Sequence, residues 1–580
     1  MSRQYTTGQY LIDRLKELGI GHVFGVPGDF GFPFLDRIED DPDIAWVDNC
    51  NEVNAAYAAD AYARLQGIAA LTGAAGIIDT LGASGVAGAY AEHVPLVLIS
   101  LYPSTEELAD RTFTHHSLHG GDYSPFPRMN QEITAARALL TGDNACQEID
   151  RVLLACWAEK LPVYIQLPSD VSALPAEPPT TRLVLPEPAS DPAQLEAFLD
   201  RFVPLLNDAE NPVMLVDYPV GRYQLTPLIQ EVSRKTGIPV AGAITVKSAF
   251  LDETHPTNLG TYPFPGAAEQ VDSADLLIRL CIQHDELHSG AAVPGFTGPH
   301  VVDLEAASAS IGGFHYPQVA MRDVLTRLGT QASGSKPAPR AARPPAAAAP
   351  FEPKPATAIT ADRLWEAFSS FVEQDDVITL DPGVTTTALK FFTRVPVRTR
   401  MVTQETWMAI GWALAAGLGA QLADRSHRHI LVMGDGAFQE TAQELSTILR
   451  HGLAPVIFVF NNSRYEIENW NHAGRDSEAA WRADPFDIGY NVLQSWSYHE
   501  LPAVFAEAAK PLGVRVTTEE ELGSAFAAAA QAQRDGRCAL IEVILNPADV
   551  AEVFRRFPYP PGHAAARPPG ETDLTTASAR

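Results

Sequence analysis

Short apolar runs alternate with amphipathic, helix-period stretches along almost the whole chain. A strand covered on both faces reads as a continuous apolar run, so this alternation predicts α/β layers built around parallel sheets. Strands are predicted at "GHVFGVP", "PLVLIS" and "PVYIQLP" in the first third and at "NPVMLVDYP" and "DLLIRLCI" in the second. In the last third they are predicted at "DVITLDPG", "RHILVMGD", "PVIFVFNN" and "ALIEVIL". Each third repeats the strand–helix rhythm without a strict sequence repeat.

The 580 residues are too many for one hydrophobic core. Residues 332–355, "ASGSKPAPRAARPPAAAAPFEPKP", are dominated by Pro, Ala and Ser and read as an extended tether. A softer boundary lies at "LPAEPPTTRLVLPEPASDP". The expected organisation is an α/β domain at 1–185, a second at 190–330, a linker at 331–355, a third domain at 356–556, and a Pro-rich mobile tail at 557–580.

Composition narrows the class. Hydrophobic residues make up 46% and charged residues 19%, which suits a globular chain. The formal charge of −29 argues against nucleic acid and anionic membrane as partners, since both call for a basic face. The 5 cysteines are scattered and form no CxxC, so neither a disulfide framework nor a zinc site is expected. The N-terminus carries charges where a signal peptide has its apolar core, and no apolar run is long enough to span a bilayer. These features together predict a cytoplasmic protein.

The chemistry starts at "LVMGDGAFQE", where an apolar strand ends in Gly434-Asp435-Gly436 and a helical pattern follows, with Phe438, Ala442, Leu445 and Ile448 on one face. A strand end meeting a helix start is an anion-binding corner, and the flanking glycines permit close approach to backbone N–H groups. A carboxylate there would repel phosphate unless a cation lies between them. That points to Mg²⁺ or Ca²⁺, hard ions that take oxygen ligands. The next apolar strand ends in Asn461-Asn462, and Asn462 offers an amide oxygen. Alone, Gly-Asp-Gly is compatible with a helix cap or a plain turn; the order strand, GDG, helix, strand, NN is far more specific.

That order resembles the thiamin diphosphate motif. The likeness implies that Asp435, the side chain of Asn462 and the backbone carbonyl of Arg464 hold Mg²⁺ against the diphosphate of that cofactor. Farther upstream, "FGVPGDF", "NEVNAAYAADAYAR", "AGAYAEHVPLVLIS" and "THHSLHGGDY" resemble the pyruvate and indolepyruvate decarboxylase branch of that family. So do "ITVKSAFLDETHPTNLGTY" and "WSYHELPAVFAEA", which extends the likeness over most of residues 5–555. It implies three consecutive doubly wound parallel-sheet domains: pyrimidine-binding, middle and diphosphate-binding.

Implied roles follow residue by residue. Glu52 hydrogen-bonds the pyrimidine nitrogen and promotes loss of the thiazolium proton. Ile410 is the apolar wedge that bends the cofactor, and the Met408 carbonyl accepts from its amino group. Gly383, Gly434, Gly436 and Ala437 lie along the cofactor, Ala437 replacing a frequent serine. Asp29, His115, His116 and Glu468 form the acid–base cluster that protonates the enamine and releases aldehyde after CO₂ has left. Thr386, Ile467 and Asn471 bound the substrate. In the family the first-domain cluster of one subunit meets the third-domain site of another, which implies a homodimer or homotetramer.

Three departures bear on the substrate. The segment "NWNHAGRDSEAAWRADPFDIGYNV" after Glu468 is longer than is usual, and it reads equally as a surface loop. Asn471 replaces a small aliphatic residue, with Arg475 nearby. Thr386 stands where pyruvate-specific relatives often have tryptophan. The expected reaction is non-oxidative decarboxylation of an aromatic or branched 2-oxo acid to an aldehyde. Carboligation of the acetolactate-synthase-like type is the alternative, and a non-catalytic cofactor-binding subunit a lesser one. The adjacent histidines and the lack of a flavin signature in the middle domain favour decarboxylation.

Overall fold

The computed structural model describes residues 4–243, 255, 257–262, 264, 266–283, 300–331, 350–386, 388, 398–473, 489–549 and 551. Arg475 and most of the segment after Glu468, most of the Pro/Ala-rich linker, and the tail from 552 lie outside them. Most of "ITVKSAFLDETHPTNLGTY" lies outside them as well.

A strand stands at each of the nine predicted runs. The first sheet comprises β1 (His22–Gly25), β2 (Ala45–Asp48), β3 (Ala69–Ala74), β4 (Leu96–Tyr102), β5 (Ala136–Leu139) and β6 (Val163–Pro168). Its order is β2-β1-β3-β4-β6-β5, parallel throughout. The second contains β7 (Pro212–Val216), β8 (Val240–Gly242), β9 (Asn258–Thr261), β10 (Leu276–Leu280), β11 (Val301–Leu304), β12 (Ala309–Ile311) and β13 (Phe314–Tyr316). Here the sheet departs from a purely parallel one: β12 and β13 add antiparallel strands at one edge. Short turns join β11, β12 and β13, which leaves no room for a crossover helix between them.

The third sheet is built from β14 (Val377–Leu380), β15 (Arg400–Thr403), β16 (His429–Gly434), β17 (Val456–Asn461), β18 (Leu512–Val516) and β19 (Ala539–Ile544). Its order, β15-β14-β16-β17-β19-β18, repeats that of the first sheet strand for strand. β16 and β17 are fully buried apart from Gly434, as their unbroken apolar sequences require.

Two helices tie the first and third domains together: α1 (Glu52–Gln66) and α2 (Trp412–Ala423). Both are Ala-rich and buried along nearly their full length. Small side chains let their backbones approach so closely that a Cβ at Gly419 would collide with the Ala58 carbonyl oxygen. A buried charge network spans the same junction. Arg64 on α1 pairs with Asp60 at 3.0 Å and Glu92 at 2.8 Å, and the Trp412 indole N–H donates to Asp60 at 2.8 Å. The other Glu92 oxygen accepts the N–H groups of Glu405, Thr406 and Trp407, fixing the turn that leads to Met408 and Ile410. Burial opposes ionisation of Glu92, but Arg64 and these N–H groups outweigh it and lower its pKa.

Candidate active site

The register of the third sheet builds the centre of the site. Gly434 on β16 pairs with Phe460 on β17, so Asp435 and the Asn461-Asn462 pair emerge side by side at the carboxyl end of the sheet. β14 lies on the other side of β16 and delivers Asp381-Pro382-Gly383 to the same edge. One recess there is lined by Gly383, Thr386, Ile410, the backbone run from Gly434 to Ala437, Asn462 and the segment from Arg464 to Ile467. The structure therefore brings together ten of the residues singled out above.

Asp435 opens the helix α3 (Asp435–Thr441) and is 2% exposed. One carboxylate oxygen accepts the Gly436 N–H at 2.9 Å and the other the Ser463 N–H at 2.6 Å. Burial still dominates and pushes its pKa up to about 7. A Cβ at Gly436 would strike the Tyr465 ring, whereas one at Gly434 would meet nothing within 4 Å. Gly436 therefore serves close packing, and the open side of the turn is at Gly434. The helix pattern predicted to run through Ile448 is split: α3 stops at Thr441 and α4 (Glu444–Arg450) resumes, though Phe438, Ala442, Leu445 and Ile448 are all buried.

The loop after β17 is held from several sides. Ser463 takes a positive φ of 61°, and its carbonyl accepts the Leu493 N–H at 2.9 Å. Asn461 donates to the buried Glu542 at 2.7 Å, which also accepts from the His499 ring at 2.6 Å. Met408 likewise takes a left-handed φ of 52°, uncommon without glycine and a mark of a backbone whose direction matters. Glu468 is exposed on α5 (Glu466–Ala473); Asn471 belongs to that helix, its side chain outside the described residues.

The first-domain candidates gather separately. His115 meets Asp29 at 3.1 Å, stacks on Phe30 at 4.7 Å and lies edge-on to His116 at 4.6 Å. Glu52, first residue of α1 behind the Asn51 cap, is 7% exposed and near enough to His116 to act on its charge. Burial first, then His115, lowers the His116 pKa, while Asp29 and Glu52 oppose them. None of Asp29, Glu52, His115 and His116 lines the Asp435 recess.

Sequence reasoning missed three buried acids that hold the site. Glu444 accepts from Asn49 at 2.8 Å, Asn54 at 2.6 Å and the Cys50 N–H at 3.2 Å, anchoring the segment that carries Glu52 to α4. Glu542 braces Asn461, and Glu466 braces Asn462. A glutamate inside a helix or strand carries no local sign that it is buried.

Comparison with known proteins gives this architecture its relatives. The family model described as the thiamine pyrophosphate enzyme N-terminal TPP binding domain matches residues 5–124. The central-domain model matches residues 199–327 and the C-terminal TPP binding domain model residues 381–543. The chain is 34% identical over 561 residues to an alpha-keto-acid decarboxylase of Mycobacterium leprae (strain TN), covering 96% of this chain and 95% of the relative. It is 35% identical over 561 residues to one from Mycolicibacterium paratuberculosis (strain ATCC BAA-968 / K-10), at 95% of each. One from Mycobacterium tuberculosis (strain ATCC 25618 / H37Rv) is 35% identical over 564 residues, at 95% of this chain and 96% of the relative. With all three domains of the thiamine pyrophosphate enzymes matched in order and relatives named alpha-keto-acid decarboxylase aligned over nearly their whole length, the chain belongs to the thiamin diphosphate-dependent 2-oxo acid decarboxylases.

Proposed function

We propose that the enzyme decarboxylates an aromatic or branched 2-oxo acid, larger than pyruvate, to the corresponding aldehyde. The observation that carries this reading is Thr386: it lines the recess with Ile410 and Ile467, and its hydroxyl is turned onto the Gly383 carbonyl at 3.1 Å. A small side chain whose hydroxyl is satisfied by the backbone takes up less of the recess than a tryptophan would, which suits a bulky hydrocarbon group.

The donor set suits a hard divalent cation. Among the described residues no group of three His, Cys, Asp or Glu side chains suits a metal ion. The oxygens on offer are the Asp435 carboxylate, the Asn462 amide and the Arg464 carbonyl, a combination that fits Mg²⁺. Thiamin diphosphate, when bound, supplies the carbon nucleophile and the electron sink for decarboxylation. The chain would do the rest. Glu52 would hold a proton against the pyrimidine ring, Ile410 and the Met408 carbonyl would contact the cofactor between its rings, and the glycine turn would admit the diphosphate. Asp29, His115, His116 and Glu468 move protons at the product carbon and its oxygen.

Because the first-domain cluster stays outside the Asp435 recess, one chain offers two half-sites, and a homodimer or homotetramer would complete them. The substrate test is CO₂ and aldehyde release, with thiamin diphosphate and Mg²⁺ present, from pyruvate, 2-oxoisocaproate, phenylpyruvate, indolepyruvate and 2-oxoglutarate. A kcat/KM at least 10-fold above that for pyruvate with a branched or aromatic acid is the expected result, an order of magnitude that one or two methylene contacts supply. Preference for pyruvate would overturn the reading, and CO₂ without free aldehyde would indicate carboligation.

A further inference from the structure

The side chain of Asn462 is an ambiguous ligand. An amide presents an oxygen at one end and an NH₂ at the other, and only the oxygen suits a hard cation. Something must decide which end faces the recess. The Asn462 Nδ2 donates to Glu466 Oε2 at 3.2 Å, and its Oδ1 accepts the Arg464 N–H at 3.2 Å. Glu466 in turn takes a two-pronged contact from Arg464, with Nε to Oε2 and Nη2 to Oε1 each at 2.8 Å. Both side chains are buried, 4% and 7% exposed, and both residues line the recess beside Asn462.

The chemistry of this trio is directional. A carboxylate only accepts, so it selects the NH₂ end of the amide and leaves the oxygen for the other side. The guanidinium matches both carboxylate oxygens and answers a charge that would otherwise stand alone in a buried wall. The sequence "NSRYE" places the three residues at alternate positions on one tight loop, so the device is local.

We propose that Glu466, with Arg464 as its counter-ion, is a positioning residue that sets the Asn462 amide to present its oxygen to the divalent cation. This rests on the metal reading given above. The test is the Mg²⁺ concentration that half-saturates thiamin diphosphate binding, followed by tryptophan fluorescence of the full chain, with the thermal unfolding of each cofactor-free variant recorded alongside. Glu466→Gln should raise that concentration about 10- to 100-fold, the range for removing the outer partner of a metal ligand. In an Asn462→Asp background both ends of the ligand are oxygen, so no orientation remains to be set. There, adding Glu466→Gln should cost little or improve binding, since it removes a facing carboxylate.

An unchanged half-saturation in Glu466→Gln overturns the proposal. So does an equal loss in both backgrounds, which would make the trio a loop scaffold only. If Glu466→Gln does not fold, Glu466→Asp tests the same contact, keeping the charge for Arg464 while shortening the reach to Asn462; unaltered Mg²⁺ dependence again overturns it. Cofactor binding that is independent of Mg²⁺ in the unmodified protein, or insensitive to Asp435→Ala, identifies a failure of the metal reading itself.

Discussion

Glu52 is buried at the mouth of α1, behind the Asn51 cap. Glu52→Gln keeps the size and loses the acid, so kcat should fall by about 10²–10⁴-fold with the unfolding midpoint little changed, a split read by steady-state kinetics beside calorimetry. His116 supplies a second outcome. Burial and His115 both disfavour the charged ring, so it stays neutral as the pH drops through the 6.5 of a free imidazole and protonates only below that. Asp29 and Glu52 raise that pKa, so Asp29→Asn should move the acidic limb of the normalised kcat/KM profile to lower pH. A limb moving the other way would show that His116 is not the group reporting there.

Among the elements, the packing of α1 on α2 is a tight constraint. Gly419→Val would drive a branched side chain into the Ala58 carbonyl, and overpacking of this kind costs about 1–3 kcal/mol or more. Denaturant unfolding should show that loss, and Gly452→Ala, where an added Cβ meets nothing but φ is +61°, should cost less. The same elements show what a sequence makes legible. β16 and β17 are continuous apolar runs, so their ends, and with them Asp435 and Asn462, were readable from the chain. β3, "AALTGA", was not: it lies between β1 and β4, and its Ala and Gly positions carry little apolar signal. Glu444 was equally silent, because one of its partners, Asn54, lies 390 positions away, and only the fold brings them together. The linker and tail are expectations from composition alone, and most of both lies outside the described residues.

At the scale of the whole molecule, the first and third sheets share one strand order, while the proposed function gives them different duties, proton handling to the first and oxygen donation to the third. No helix among the described residues is long and apolar enough to cross a membrane. If a second copy completes each site, specific activity should fall on dilution below the dissociation constant of the assembly and recover on concentration, with sedimentation tracking the change. Sites completed in that way would also carry a consequence for inheritance. A chain altered at Glu52 still owns a sound Asp435 recess, and one altered at Asp435 still owns a sound Glu52 cluster. Neither pure assembly would then work, yet each mixed pair would have one site assembled entirely from undamaged halves. Random pairing of the two should restore about a quarter of normal activity, so two alleles that each abolish the enzyme would together keep a cell supplied.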